Sequence, residues 1–256
     1  MPTYRVMSYL VLVTVLTAPF WLLGALIDFD LLPGLPIAAL AVVCPTLAAA
    51  LLSMREGGRK QFVDFLRNAL DTRRAQRWFI VAALINPILF AAAFAAARLF
   101  GASIPDPSIS AGSAALLFAL FLPTALLEEI GWSGYALAGL QQRMRPLVAA
   151  ILLGLFWALW HLPALLQVDR SAEWIAYWCL WTVSARVIMV WLYNWSGASV
   201  LAVALYHAIS NVCCLLYPVS GSYFDPRLSG FITLGLALAL IVTQRAMLAP
   251  PRPEAQ

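Results

Sequence analysis

Charge is what this sequence has least of. Only 11% of its 256 residues are Asp, Glu, Lys or Arg, where a soluble domain carries about 25%. That scarcity, with 63% hydrophobic residues and a mean hydropathy of +0.86, leaves too little polar surface to solvate a globular domain of this length. Histidine is scarcer still, at two residues. The four cysteines (Cys44, Cys179, Cys213, Cys214) form no CxxC and fall in or beside apolar runs, which reads as packing and not as a redox or zinc motif. No HExxH is present. A net charge of +4 gives no reason to expect a nucleic-acid partner. An integral membrane protein is what remains.

Long apolar runs are what the sequence does have. Windows of about 20 residues suit eight transmembrane helices, near 6–27, 33–54, 78–100, 113–138, 147–166, 174–194, 198–217 and 229–248. The whole chain then forms one polytopic domain, 1–256, of all-α membrane class. Arg5 is followed by a run too long for a signal-peptide core and by no small-x-small cleavage site, so the first run reads as an uncleaved span. Eight spans put both termini on one side. That side collects Arg5, Arg143, Arg145, Arg245, Arg252 and seven basic residues between 55 and 77, and the opposite side only Arg98, Arg170 and Arg227. The positive-inside rule predicts cytoplasmic termini, with a bacterial cytoplasmic membrane as the expected location. Within 55–77, Phe62, Phe65, Leu66, Ala69 and Leu70 recur with helical period among charges. The pattern predicts a basic amphipathic helix lying on the cytoplasmic leaflet. The tail "APPRPEAQ" is expected to be disordered.

Against that background the polar residues inside the spans stand out. An ionisable group near the bilayer centre costs about 2.5–3.5 kcal/mol on insertion scales, so each is a functional candidate. They are Glu128 and Glu129 in the fourth span, His161 in the fifth, Arg186 in the sixth, and His207 with Asn211 in the seventh. Adjacent Glu128 and Glu129 differ by about 100° around a helix, so one can point into a cavity while the other meets a neighbouring helix. Trp157 and His161 share one helix face, as do His207 and Asn211. Taken singly, an intramembrane His or Asn is often packing glue. Together, two carboxylates, two imidazoles and a carboxamide form a set able to deprotonate water and to stabilise an oxyanion. A polar catalytic cavity among helices 4, 5 and 7 is the expectation.

Three stretches, "EEIGWS" (128–133), "WALWH" (157–161) and "HAISN" (207–211), resemble in order the EExxxR, FxxxH and HxxxN motifs of the CPBP family. These are the CAAX-prenyl-endopeptidase and bacteriocin-processing intramembrane proteases, also called ABI proteins. The resemblance covers about 120–215 and implies an intramembrane endopeptidase. It implies that Glu128 activates water that His161 also holds, that His207 and Asn211 orient that water or stabilise the tetrahedral intermediate, and that Glu129 supports. The implied substrate is a membrane-embedded or lipidated peptide, a CAAX-prenylated tail among them, cut near the cytoplasmic leaflet. The family is often described as metallopeptidases. Glu128, His161 and His207 could supply three ligands to one divalent metal such as zinc, and a metal-free Glu/His mechanism is the alternative.

Two positions depart from the motifs. Trp157 stands for the usual Phe, read as a modest change in an aromatic wall. Ser133 stands for the Arg of EExxxR, which would lie four residues from Glu129 on the same face. Without that Arg, Glu129 must be protonated, reach water or find another cation; Arg186 on the sixth span is the cation the sequence offers, unless that span is displaced and Arg186 reaches an interface. Two rival readings stay open: a catalytically silent scaffold or immunity-type binding protein, whose odds Ser133 raises, and a proton-coupled transporter using Glu128 and the histidines as a relay.

Overall fold

A computed structural model describes residues 3–32, 34–73, 75–217 and 223–249. Arg74, Arg252 and most of the expected disordered tail fall outside the described residues. Eight long helices run through the rest, numbered here α1 (Thr3–Leu26), α2 (Cys44–Ala69), α3 (Gln76–Leu99), α4 (Ala111–Gly131), α5 (Pro146–Gln167), α6 (Ala172–Trp195), α7 (Val200–Leu216) and α8 (Pro226–Thr243). The protein is an all-α integral membrane protein. Seven of these helices, some with their helical extensions, are long and apolar enough to cross a bilayer. Residues such as Val11, Val15, Ile80, Leu84, Ile88, Leu155 and Leu159 lie exposed along them, forming the lipid-facing surface.

The seventh helix differs from its expected span. α7 has 17 residues, about 25 Å of helix and short of a full hydrocarbon layer. It starts late because the turn before it holds Gly197 and Ala198 at positive φ (73° and 65°), after which Ser199 caps the Ala202 amide. α7 can be short because it is wrapped by protein. It packs against α3 and α4, and most of its residues are buried.

Three further departures from simple spans matter for the site. Between α1 and α2, where the sequence suggested only a turn, a small antiparallel hairpin forms from β1 (Asp30–Leu32) and β2 (Leu35–Pro36). Its reversal uses Gly34 at φ 71°, whose amide donates to Asp30 Oδ2 at 3.1 Å. A 3-10 segment, Ile37–Val43, leads on into α2. α2 then breaks at Gly57 and Gly58, the second with φ 66° and ψ −162°, a conformation essentially reserved for glycine. The basic amphipathic stretch follows this break. Phe65 and Leu66 pack against the hydrophobic core, Phe65 edge-on to Tyr135 with ring centroids 6.2 Å apart, and Ala69 is buried. Part of the apolar stripe expected to lie on lipid, Phe65, Leu66 and Ala69, is docked onto the protein past the glycine break, while Leu70 stays exposed. Finally, α4 continues beyond Gly131 as a π-helix, Trp132–Leu137. Such segments concentrate at functional sites.

Polar bonds buried between helices fix the bundle. Asn86 of α3 donates to the Tyr206 carbonyl of α7 at 2.9 Å, and the Trp160 indole of α5 to Thr17 Oγ1 of α1 at 2.8 Å. Thr46 of α2 donates to the Leu127 carbonyl, one residue before the paired carboxylates. Near the basic face, Glu56 accepts from Tyr135 of the π-helix at 2.9 Å and from Arg5 at 3.3 Å. Gly131 lies hard against the backbone of another helix. A Cβ there would overlap the Pro45 carbonyl and the Tyr9 hydroxyl. Gly131→Ala is expected to lose about 1–3 kcal/mol through overpacking, measured as a lowered thermal transition of the detergent-solubilised protein.

Candidate active site

The two carboxylates part company as the helical geometry predicts. Glu128 lines a cavity of about 640 Å³, and Glu129, fully buried, turns to the neighbouring helices instead. His161, His207, Asn211 and Trp157 line the same cavity as Glu128, so α4, α5 and α7 do deliver the expected set to one place. α6 adds Trp174, Trp178 and Trp181 to an otherwise apolar wall.

Glu129 is the most heavily bonded side chain in the core. Arg186 of α6 meets it as a fork, Nη1 to Oε2 at 2.8 Å and Nη2 to Oε1 at 3.1 Å, with both side chains excluded from solvent. Such paired bonds are the strongest geometry available to a carboxylate. His207 Nδ1 approaches Glu129 Oε1 at 3.1 Å, and the Ser133 hydroxyl donates to Oε2 at 2.5 Å. Arg186 thus holds the charge that the motif places at 133, and Ser133, left small, joins the same carboxylate from its own helix. The remaining Arg186 nitrogen, Nε, has no hydrogen-bond partner among the described residues. The guanidinium lies instead over the Trp157 ring, 4.2 Å from its centroid.

Trp157 is the residue whose weight the motif comparison understated. Its indole N–H donates to Glu128 Oε2 at 3.0 Å, and the Trp132 indole donates to the same oxygen at 3.3 Å. Its ring meets His161 and His207 edge-on, with centroids 5.3 and 5.1 Å away. One indole therefore touches the carboxylate, both imidazoles and the buried cation. A Phe would keep the ring contacts and lose the donor. Trp132 was missed from the sequence, although its place four residues after Glu128 was a usable signal.

The ring nitrogens are also sorted. His161 Nδ1 lies 2.8 Å from the Trp157 carbonyl, which can only accept, so this nitrogen carries the proton and Nε2 is left for the cavity. His207 is held in the same sense by Glu129. Glu128 Oε1 makes no hydrogen bond among the described residues, in contrast to the doubly bonded Oε2. Asn211, half-buried, adds its carboxamide to the wall.

The metal expectation meets a poorer fit. Among the described residues no three His, Cys, Asp or Glu side chains gather at ligand spacing. In the present arrangement Glu128, His161 and His207 share a cavity but do not converge as a zinc site requires. One Glu128 oxygen is already committed to two indoles.

Removing one partner of a buried ion pair leaves the other charge stranded and costs about 3–5 kcal/mol. Arg186→Leu is expected to be that destabilising. The same change combined with Ser133→Arg should recover much of the loss, because a cation at 133 returns to the helix of Glu129. A thermal-unfolding series on the single and double variants checks this, and an Arg186→Leu protein as stable as the parent would sink the compensation.

Comparison with known proteins agrees with this geometry. Residues 110–213 match the family model described as type II CAAX prenyl endopeptidase Rce1-like. That stretch runs from the N-cap of α4 into α7 and contains every residue of the site. A CAAX prenyl protease 2 of Methanococcus maripaludis is 26% identical over 235 residues, an alignment covering 82% of this chain and 83% of that protein. With the three motifs on packed helices, both comparisons point the same way: over the stretch that holds the site, the chain is similar to CAAX prenyl endopeptidases.

Proposed function

We propose that this protein hydrolyses a peptide bond of a membrane-associated substrate, a prenylated C-terminal tail being the first candidate, with water activated by Glu128. The observation that carries the reading is the asymmetry of the two carboxylates. Glu129 is consumed by Arg186, His207 and Ser133, whereas Glu128 keeps one unbonded oxygen in a cavity that also holds two imidazoles. Oε2 is oriented by two indole N–H groups, which leaves Oε1 to take a proton from water. His161, with its proton fixed on Nδ1, offers Nε2 to the same water. His207 and Asn211 stand on one face of α7, where they can orient the water or stabilise the oxyanion that forms when it adds to the carbonyl. The leaving amine then recovers the proton held by Glu128. Ser133 loses its force as a sign of a silent scaffold once Arg186 is seen to carry the missing charge.

Glu128→Gln keeps both indole contacts possible and removes the base. It should lower cleavage of a quenched-fluorescent farnesylated CAAX peptide by about a hundredfold or more in detergent. Cleavage that survives in this variant would overturn the assignment of the base. The same assay with a chelator reads the metal question: loss of activity, restored by zinc, would support a bound metal.

The proposal includes an orientation. Arg5, Arg59, Lys60, Arg67, Arg143, Arg145 and Arg245 gather at one end of the helices, which supports that end as cytoplasmic. The cavity reaches the surface elsewhere, at Leu31, Leu40 and Arg170, with Leu31 on the α1–α2 hairpin and Arg170 between α5 and α6. The cavity is also lined by exposed Leu120 of α4, so a membrane-held substrate can reach it from within the bilayer as well as at the hairpin end. In a protein freed of its native cysteines, Leu31→Cys should react with an impermeant maleimide added to intact cells, and Lys60→Cys only after permeabilisation. The reverse pattern would invert the orientation.

A further inference from the structure

A polar cluster away from the cavity, at the basic end of the helices, has no part in the chemistry described so far. Its centre is Glu56, the last residue of α2 before the glycine break, with its side chain 11% exposed. Groups from three different segments converge on it. The Tyr135 hydroxyl of the π-helix donates to Oε1 at 2.9 Å. Oε2 accepts from Arg5 of α1 at 3.3 Å and from Gln61 Nε2, beyond the break, at 3.2 Å. Gly57 makes the last contact possible, because a Cβ there would overlap the Gln61 side chain as it turns back. Tyr135 is itself buried, its ring tilted against Tyr9 with centroids 5.1 Å apart.

The π-helix is therefore tied on two sides. Its first two residues reach back to the paired carboxylates, the Trp132 indole to Glu128 Oε2 at 3.3 Å and the Ser133 hydroxyl to Glu129 Oε2 at 2.5 Å. Tyr135, two residues on, reaches the other way to Glu56. Ahead of them, Gly131 against Pro45 and Tyr9 fixes the end of α4. A π-turn carries one more residue than an α-turn, so each later side chain is rotated from where an α-helix would put it. Were this segment α-helical with Gly131 held, Tyr135 would swing about the axis and away from Glu56. With Tyr135 held instead, the preceding turn would rotate, and the donors to Glu128 and Glu129 would move with it. The π register meets both sets of bonds together. A rare backbone conformation of this kind persists where its surroundings over-determine it, and Glu56 supplies the tie on the side away from the cavity.

We propose that Glu56 is a positioning residue for the reaction: through Tyr135 it holds the π-turn in the register at which Trp132 donates to Glu128. It rests on the endopeptidase reading above, in which Glu128 is oriented through Oε2 and takes the proton on Oε1. Without the tie the turn relaxes, the displacement is shared between its two sides, and Trp132 shifts against the base. Trp132 does not line the cavity, so the loss falls on kcat and leaves substrate binding in place. Arg5 and Gln61 keep Glu56 facing Tyr135. The first turn of α1 and the break in α2 thereby contribute to the aim of a carboxylate they never touch.

Tyr135→Phe removes the hydroxyl and keeps the ring. It should lower kcat for the farnesylated CAAX peptide by about tenfold or more, with KM within about twofold of the parent, and Glu56→Ala should do the same. Glu56→Gln, which still offers Tyr135 an acceptor, should rescue most of that loss. Trp132→Phe removes the donor on the other side. Adding Tyr135→Phe to it should cost nothing further, because both changes act on one contact. The indole N–H resonances of isotope-labelled protein in detergent give a readout free of turnover. The resonance that disappears in Trp132→Phe should move in Tyr135→Phe and in Glu56→Ala, and stay in place in Glu56→Gln. Parent-like kcat in Tyr135→Phe, or a loss that multiplies with that of Trp132→Phe, would overturn the proposal. So would a lowered thermal transition with the Trp132 resonance unmoved, which would leave Glu56 a purely structural tie. A resonance that moves as expected in a protein that cleaves no peptide would keep the tie and remove the endopeptidase reading instead.

Discussion

A carboxylate with no access to water must have a cation, and the fork between Arg186 and Glu129 is how this protein meets that requirement. The rest of the site is built around it. The fork ties α6 to α4, His207 joins it from α7, and Trp157 of α5 lies under the guanidinium, so four helices meet at one charge pair. The pair need not add net stability, since desolvating two charges is costly. Its value is geometric: breaking it strands a charge, so alternative packings of these helices are penalised. Ser133, buried beside the fork, closes the fourth approach to the carboxylate.

That arrangement divides two identical side chains into different tasks. Glu129 is immobilised and serves as the anchor of His207. Glu128, one residue away and about 100° around the helix, is anchored through one oxygen and left open through the other. The π-helix that begins at Trp132 is part of this division. The indole of its first residue donates to Glu128, while Ser133, its second, donates to Glu129. Tryptophan suits the site because it combines apolar bulk with a single donor, in a cavity where a second cation would draw the open carboxylate into a closed pair.

Much of this was legible in the sequence. Run lengths located the helices, helical spacing separated the two glutamates, and an unmatched acid and base within one membrane core pointed to the Arg186 contact. What escaped notice has physical reasons. The α1–α2 hairpin is too short to show a strand period, and its turn glycine looks like any loop glycine. The stripe of Phe65, Leu66 and Ala69 has the same periodicity whether it meets lipid or protein, and only the break at Gly57 and Gly58 decides between them. Trp157 looked like a wall residue because composition cannot say where an indole N–H points. Arg170 looked like one of three scattered cations on the sparsely charged side, and its place at the cavity rim depends on a helix cap and on a hairpin distant in sequence.

The position of Arg186 also bears on how the chain is assembled. With an arginine at 133, the fourth helix could enter the bilayer with its acid already balanced. Here the balancing cation is 57 residues further along, two helices later. The buried acid of α4 therefore finds its charge partner only once α6 is in place. A charge carried on a later helix makes the burial of one segment's acid depend on its successor.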